Sequence, residues 1–245
     1  MRLIGHSLCR PIYLLSMLGV VVGFIAMGVT TFMLRAAEKE PVFHSTVIDP
    51  PIAASEFELL NHRGESFSLM KAPQKLVVLT FLNTSCIDVC PFIGLKLRKV
   101  SEMLGEEADL VVFVAVSTDP ERDNLERARR YNQFLHPDWR WHYLVGERDQ
   151  LASVWRDYYL GDPVVTESHH GMVPEEVLVE SGLLLGLDST HLDLARKAID
   201  RFGGEYHVAH SYPVWVIDSN RDIRLKMGQD LAPYDLWQDL RLLLK

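Results

Sequence analysis

The apolar and polar positions of this chain divide it into regions of different character. Ile12 to Leu34 runs for 23 residues without a charge. As a helix at ~1.5 Å per residue it spans roughly 34 Å, enough to cross a hydrocarbon core of about 30 Å. Residues 36–55 (AAEKEPVFHSTVIDPPIAAS) mix Pro, Ala and charge without a period, which is the pattern of a tether. Beyond it, Phe57–Leu60 and Ser66–Leu69 flank Asn61-His62-Arg63-Gly64, a hairpin signal. Leu76–Leu82 (LVVLTFL) is a short apolar run rich in β-branched residues and reads as a central strand covered on both faces.

One rhythm follows. The pattern predicts a helix over Pro91–Leu104, a strand over Leu110–Val116, a helix over Asn124–Leu135, a strand near His142–Val145 and a helix over Glu147–Tyr159. Near the end, Val214–Ile217 and Ile223–Met227 bracket a turn at Asp218-Ser219-Asn220-Arg221, and Tyr234–Leu244 reads as a last helix. Alternating strands and helices imply βαβ units and a mostly parallel sheet. The order β-α-β-α-β-α-β-β-α fits an α/β, thioredoxin-like core with an N-terminal hairpin extension. Residues 162–207 break the rhythm and read as an insertion: nine acidic and three basic side chains, four of the ten histidines, and Gly182 and Gly186 in a Leu-rich stretch. Leu183–Leu187 and Leu192–Phe202 are expected there as short helices packed on the core. The chain therefore divides into an N-terminus with a transmembrane anchor (1–35), a linker (36–55) and one α/β domain (56–245).

Charge sharpens this picture. The net charge of −8 hides an asymmetry, because residues 1–40 hold four basic and two acidic side chains, while the rest hold 21 and 31. No Lys/Arg-rich run exists, which argues against nucleic acid as a partner. Arg2 and Arg10 precede the apolar run, whereas Arg35 and Lys39 beyond it are interleaved with Glu38 and Glu40. The positive-inside bias then places the N-terminus in the cytoplasm and the domain outside. Cleavage near Ala36-Ala37 is the competing reading. Two basic residues before the span suit a bacterial cytoplasmic membrane with the domain facing the periplasm or exterior; the alternative is a mitochondrial inner membrane, the domain facing the intermembrane space. Cys9 lacks the small residue expected before a lipidated cysteine and reads as an inert thiol.

Cys86 and Cys90 carry the chemistry. They stand in Thr84-Ser85-Cys86-Ile87-Asp88-Val89-Cys90-Pro91, directly after the central strand and at the start of a helix, where backbone N–H groups favour a thiolate. A spacing of four puts both sulfurs on one face of a helical turn, close enough to chelate one ion or to close a disulfide. Two thiolates are soft ligands suited to copper(I) or zinc, and a closed zinc site would need a second pair that is absent. Asp119 and Asp123 follow the strand at Leu110–Val116 and are expected to cap the next helix. Asp88 has a helix-start role and a position from which to tune the thiols.

The run TSCIDVCP, the loop Ser117-Thr118-Asp119-Pro120-Glu121-Arg122-Asp123, the stretch from Gly146-Glu147-Arg148 to Trp155-Arg156-Asp157-Tyr158-Tyr159, and Val208-Ala209-His210-Ser211 ahead of a strand together resemble the Sco/SenC family. The resemblance covers residues 55–160 and 208–244. It implies a thioredoxin-like domain outside the cytoplasm that binds copper(I) or copper(II) through Cys86, Cys90 and His210. It also implies a role in assembling the copper centre of cytochrome c oxidase, with that oxidase's copper-site subunit or another cuproprotein as acceptor and a separate protein as copper donor. Ile87, where many members have Pro, and the insertion depart from the family pattern without removing a ligand. His169-His170-Gly171-Met172 is a second copper-like motif, read here as solvated loop residues. A thiol-disulfide oxidoreductase using Cys86 and Cys90 as its redox pair is the rival function. A peroxidase is disfavoured because Asn83 stands three before Cys86, where Thr or Ser is wanted.

Overall fold

The computed structural model describes residues 17, 19–30, 42–136, 140–167, 175–204 and 206–245. The chain forms two units, Met1–Val42 and Phe43–Lys245. In the first, residues 19–30 are helical, and Val20, Phe24, Ile25 and Met27 are all exposed. Much of the expected span Ile12–Leu34 lies outside the described residues, as do Cys9 and His169–Met172. Among the described residues no helix is long and apolar enough to cross a membrane.

The second unit is an eight-stranded sheet with helices on both faces. The strands are β1 (Thr46–Ala53), β2 (Glu58–Asn61), β3 (Ser66–Ser68), β4 (Leu76–Leu82), β5 (Val111–Ser117), β6 (Trp141–Val145), β9 (Val214–Ile217) and β10 (Asp222–Met227), while β7 (Val164–Glu167) and β8 (Tyr206–Ala209) form a separate ribbon. The helices are α1 (Val89–Leu104), α2 (Leu125–Leu135), α3 (Arg148–Asp157), α4 (Glu175–Glu180), α5 (Ser189–Phe202) and α6 (Pro233–Leu244). The large sheet has the order β1-β10-β9-β4-β5-β6-β2-β3, with β4 at its centre.

The alternation within each strand divides the core. Val78 and Leu82 of β4, Phe113 and Ala115 of β5, and Val214 and Val216 of β9 face α1, α2, α5 and α6. Their neighbours Val77, Leu79, Phe81, Val112, Val114, Trp215 and Ile217 face α3 and the β2–β3 hairpin. Period-two side-chain placement thus makes an unbroken apolar run serve two cores at once.

Four expectations need correction. The sheet is not mostly parallel: β4–β5 and β5–β6 are parallel, and its other five pairings are antiparallel. The tight turns after β2 and β9 leave no room for a crossover, so those connections must reverse the chain. Residues 36–55 are not all tether, because β1 pairs with β10 inside that stretch and the compact unit starts at Phe43. β1 is an edge strand with nearly every residue exposed, so no period marked it. Leu183–Leu187 is not a helix: Gly182 and Gly186 adopt φ of +72° and +75° there, a left-handed backbone that breaks the turn pattern. The expected helix at Leu192–Phe202 is present as part of α5, which Asp188 caps by accepting from the N–H groups of Thr190 and His191, and the second helix of the insertion is α4. Finally, Asp119 and Asp123 do not cap α2; Asn124 does, accepting from the N–H of Arg127 at 2.9 Å.

Candidate metal centre

The cysteine loop leaves the C-terminal end of β4 and enters α1. Asp88 caps α1 by accepting from the Val89 N–H at 2.7 Å, and the same oxygen accepts from the Cys86 thiol at 2.8 Å. Cys86 therefore precedes the helix rather than lying in it, and its sulfur takes the Cys90 N–H at 3.2 Å. Both are buried free thiols. A sulfur occupying the place of an N-cap oxygen satisfies one of the unpaired N–H groups at the helix start.

His210 comes from the segment between β8 and β9. Its Nδ1 donates to the Ser211 carbonyl at 2.6 Å and its ring packs on Tyr212 with centroids 4.3 Å apart. That bond fixes the proton on Nδ1, so the neutral ring presents a lone pair at Nε2. Nε2 is buried and has no hydrogen-bond partner. An unpartnered buried acceptor beside two free thiols is the arrangement a soft metal ion would satisfy. Among the described residues no three His, Cys, Asp or Glu side chains are already gathered around a point where a metal ion would sit. The structure thus brings Cys86 and Cys90 together and sets His210 next to Cys90, without a closed three-ligand cage.

The two thiols differ in acidity. Burial pushes Cys90 up, but the neighbouring Cys86 and then His210 outweigh it and hold Cys90 at about 7. Cys86 is pushed well above the usual thiol range, first by burial, then by Cys90 and by the Asp88 carboxylate. Cys90 is the acid of the pair.

The loop is held by residues to which sequence reasoning gave a different role, as with Asp123, or none. Asp123, buried, accepts from Thr84 N at 3.2 Å, Thr84 Oγ1 at 2.5 Å, Ser117 Oγ at 2.6 Å and Tyr143 Oη at 2.7 Å. Arg127 of α2 donates through Nε to Thr84 Oγ1 at 2.6 Å and through Nη2 to Ser85 Oγ at 3.1 Å and to the Phe202 carbonyl. The insertion closes on the same loop: Gly204 N donates to the Ser85 carbonyl at 2.9 Å, and His207 Nδ1 lies 3.6 Å from Asp88 Oδ2. A Cβ on Gly203 would meet Ile87 Cγ2 at 2.7 Å, so glycine there permits the close approach. Gly203-Gly204 was the visible signal; nothing in the pattern pointed to Arg127 or to the Asp123 network.

Comparison with known proteins was consistent across three measures. The SCO1/SenC family profile matches residues 46–172, which include both cysteines and the start of the insertion. The human mitochondrial protein SCO2 homolog is 35% identical over 117 residues, covering 46% of this chain and 43% of that protein. The chain thus spans about half the length of the curated relatives it matches. Among solved structures, Arabidopsis thaliana ScoI with copper bound superposes with a TM-score of 0.58 at 22% identity, covering 78% of this chain and 98% of that one. Apo Sco1 from Thermus thermophilus superposes with a TM-score of 0.59 at 24% identity, covering 84% and 99%. These likenesses establish the thioredoxin-like fold.

Proposed function

The chain belongs to the SCO1/SenC family, and from that premise we propose that it is a membrane-tethered copper carrier acting in the assembly of the copper centre of cytochrome c oxidase. The observation that carries the reading is the buried, unpartnered Nε2 of His210 beside the adjoining free thiols of Cys86 and Cys90. Two thiolates and one imidazole suit copper(I), and the imidazole adds affinity for copper(II). Copper is the cargo, taken from a donor protein and passed to a cuproprotein acceptor. The relative solved with copper bound supports the choice of metal.

The chain's own residues prepare the site. Cys90 loses its proton near neutrality, which frees one sulfur to bind metal, while Asp88 holds the proton of Cys86 until metal displaces it. The Ser211 carbonyl keeps the imidazole in the ligating tautomer. The tether is proposed to be Ile12–Leu34, whose described part is a helix with apolar side chains exposed, a surface that lipid would cover.

An anaerobic copper(I) titration of the fragment from Phe43 to Lys245 tests the reading. One copper(I) per chain is expected, with tight binding lost in Cys86→Ser and in Cys90→Ser. Unchanged affinity in both would overturn it. A thiol-disulfide reductase is favoured by one observation, the acidity of Cys90, because a thiol with pKa near ambient pH is the better attacker. His210→Ala separates the two. A carrier loses copper(II) binding and fails to restore oxidase activity in cells lacking the native protein, whereas a reductase keeps thiol exchange and restores it.

A further inference from the structure

Beside the cysteine loop lies a cleft of about 550 Å3 whose charge is opposite to that of the molecule. Arg122, Arg127, Arg130 and Arg201 line it, against the carboxylates of Glu121 and Glu126. Both carboxylates already have partners: Arg130 binds Glu126, and Arg148 Nη2 reaches Glu121 at 3.4 Å. Among the described residues lining it, guanidinium groups outnumber carboxylates by two on a chain of net charge −8, and Arg122 Nε also lies 4.0 Å from Asp119 Oδ2. Four guanidinium groups brought together in an acidic protein repel one another, and the concave wall focuses their field outward.

The walls come from two parts of the chain. Arg122, Arg127 and Arg130 belong to the core, whereas Arg201 and Phe202 belong to α5 of the insertion. Arg201 is exposed and lies over the rings of Phe134 and Phe202, 5.4 and 5.5 Å from their centroids, which sets its guanidinium at the rim. Arg127 forms the floor and is the same residue that binds Thr84 and Ser85, the two residues before Cys86.

We propose that this cleft is a docking site for a carboxylate-rich segment of a protein partner, which it seats against the flank of the cysteine loop. Its size is that of sites taking several side chains rather than a single tetrahedral anion, and its guanidinium groups come from three separate segments instead of converging on one point. Guanidinium groups pair with carboxylates in bidentate fashion, so the chemistry selects Asp and Glu. A carboxylate entering the cleft shares Arg127 with Thr84 and Ser85, which couples the partner's arrival to the segment holding Cys86. The placement of a partner here rests on the carrier reading only in supposing that another protein approaches that loop.

The test uses the metal-free full-length chain in detergent and a fluorescein-labelled hexaglutamate peptide. Binding is expected at 20 mM salt, weakened at least threefold at 200 mM, and weakened at least tenfold in the double variant Arg130→Glu, Arg201→Glu. Both side chains are exposed, so the variant should melt with the parent chain. If it does not, Arg130→Gln with Arg201→Gln carries the comparison, with at least a threefold loss expected. Absence of binding at low salt, or affinity unmoved by these variants, overturns the proposal. So does equal displacement of the peptide by inorganic phosphate at matched charge, which would mark a small-anion site, or equal binding of hexalysine. Copper affinity is measured separately, so failure here leaves the carrier reading standing, and the reverse holds.

Discussion

Replacing Asp123 by Ala tests how the cysteine loop is positioned. The carboxylate is 2% exposed and accepts from one backbone N–H and three hydroxyls. With Ala, the N–H of Thr84 loses its acceptor inside the protein, at a cost of about 1–3 kcal/mol. The hydroxyls suffer less. Tyr143 Oη can still donate to the Leu82 carbonyl at 3.1 Å, and Thr84 Oγ1 still accepts from Arg127. Each lost hydroxyl bond then contributes about 1 kcal/mol. Against this, removing the carboxyl relieves the burial that pushes its pKa up, returning part of the loss. The net expectation for Asp123→Ala is a destabilisation of about 3 kcal/mol.

Asp123→Asn serves as the control. Its oxygen can keep both Thr84 bonds, while its amide donates to Ser117 Oγ and Tyr143 Oη once those hydroxyls turn. The expected cost is about 1 kcal/mol. Urea and thermal unfolding of the metal-free chain at pH 7 measure both, and for a domain of this size about 3 kcal/mol moves Tm by roughly 6–12 °C. A second readout follows the loop itself: Cys86 should be alkylated faster in the Ala variant, because the tether on Thr84 is gone. The reasoning fails if Ala costs less than about 1 kcal/mol or if Asn costs as much as Ala.

Two further predictions concern buried titratable groups, and a third the close approach at Gly203. Burial, then the charge of Arg63, lowers His62 to about 4; its neutral form is the folded form, so its contribution is full above the ordinary value of 6.5 and is lost as pH falls through 4. The unfolding free energy from urea titrations should drop between pH 7 and pH 4.5 by up to about 3 kcal/mol from this residue, and His62→Asn should flatten that fall; an unchanged slope would exclude His62 as the cause. Lys96, wholly buried with Nζ on the carbonyls of Gly182 at 2.7 Å and Gln229 at 3.2 Å, is lowered by burial to about 8. The folded state then binds fewer protons than the unfolded one between pH 8 and 10.5, so stability gains an increment over that range that Lys96→Met lacks, visible as a difference in pH slope between the two chains. Gly203→Ala places a Cβ 2.5 Å from the Ile199 carbonyl and 2.7 Å from Ile87 Cγ2. It should destabilise by about 1–3 kcal/mol and raise proteolysis within the insertion, and a melt identical to the parent would show that the close approach is not required.

What could be read in advance tracks how strongly each segment is forced. Leu76–Leu82 was legible to the residue because burial on both faces demands an unbroken apolar run. The hairpins at Asn61–Gly64 and Asp218–Arg221 were legible from turn chemistry. β1 was not, because an exposed edge strand needs backbone pairing but no apolar pattern, and Pro50-Pro51 argued against it. The paired sulfurs were legible from spacing alone, although that spacing implied two residues on one helical face. Instead Cys86 lies outside α1 and serves it as an acceptor.

The insertion shows where reading from sequence stops. Its charge and its glycines marked it as foreign to the strand-helix rhythm, yet its role depends on contacts between residues far apart in the chain. Arg127 joins Ser85, 42 positions before it, to Phe202, 75 positions after it. Gly204 and His207 reach Ser85 and Asp88 from the other side of the insertion. None of these residues has a periodicity, because each is chosen by one partner in space. The consequence is mechanical. The loop carrying Cys86 is held by the core through Asp123 and by the insertion through Gly204, so either support can be changed without touching a sulfur. A variant that loosens the insertion, such as Gly203→Ala, should therefore leave the count of copper bound at one while raising the rate at which copper leaves. Faster release with unchanged stoichiometry, followed by transfer to a copper(I) chelator, is the expected result. An unchanged release rate in a folded variant would show that the insertion merely borders the site.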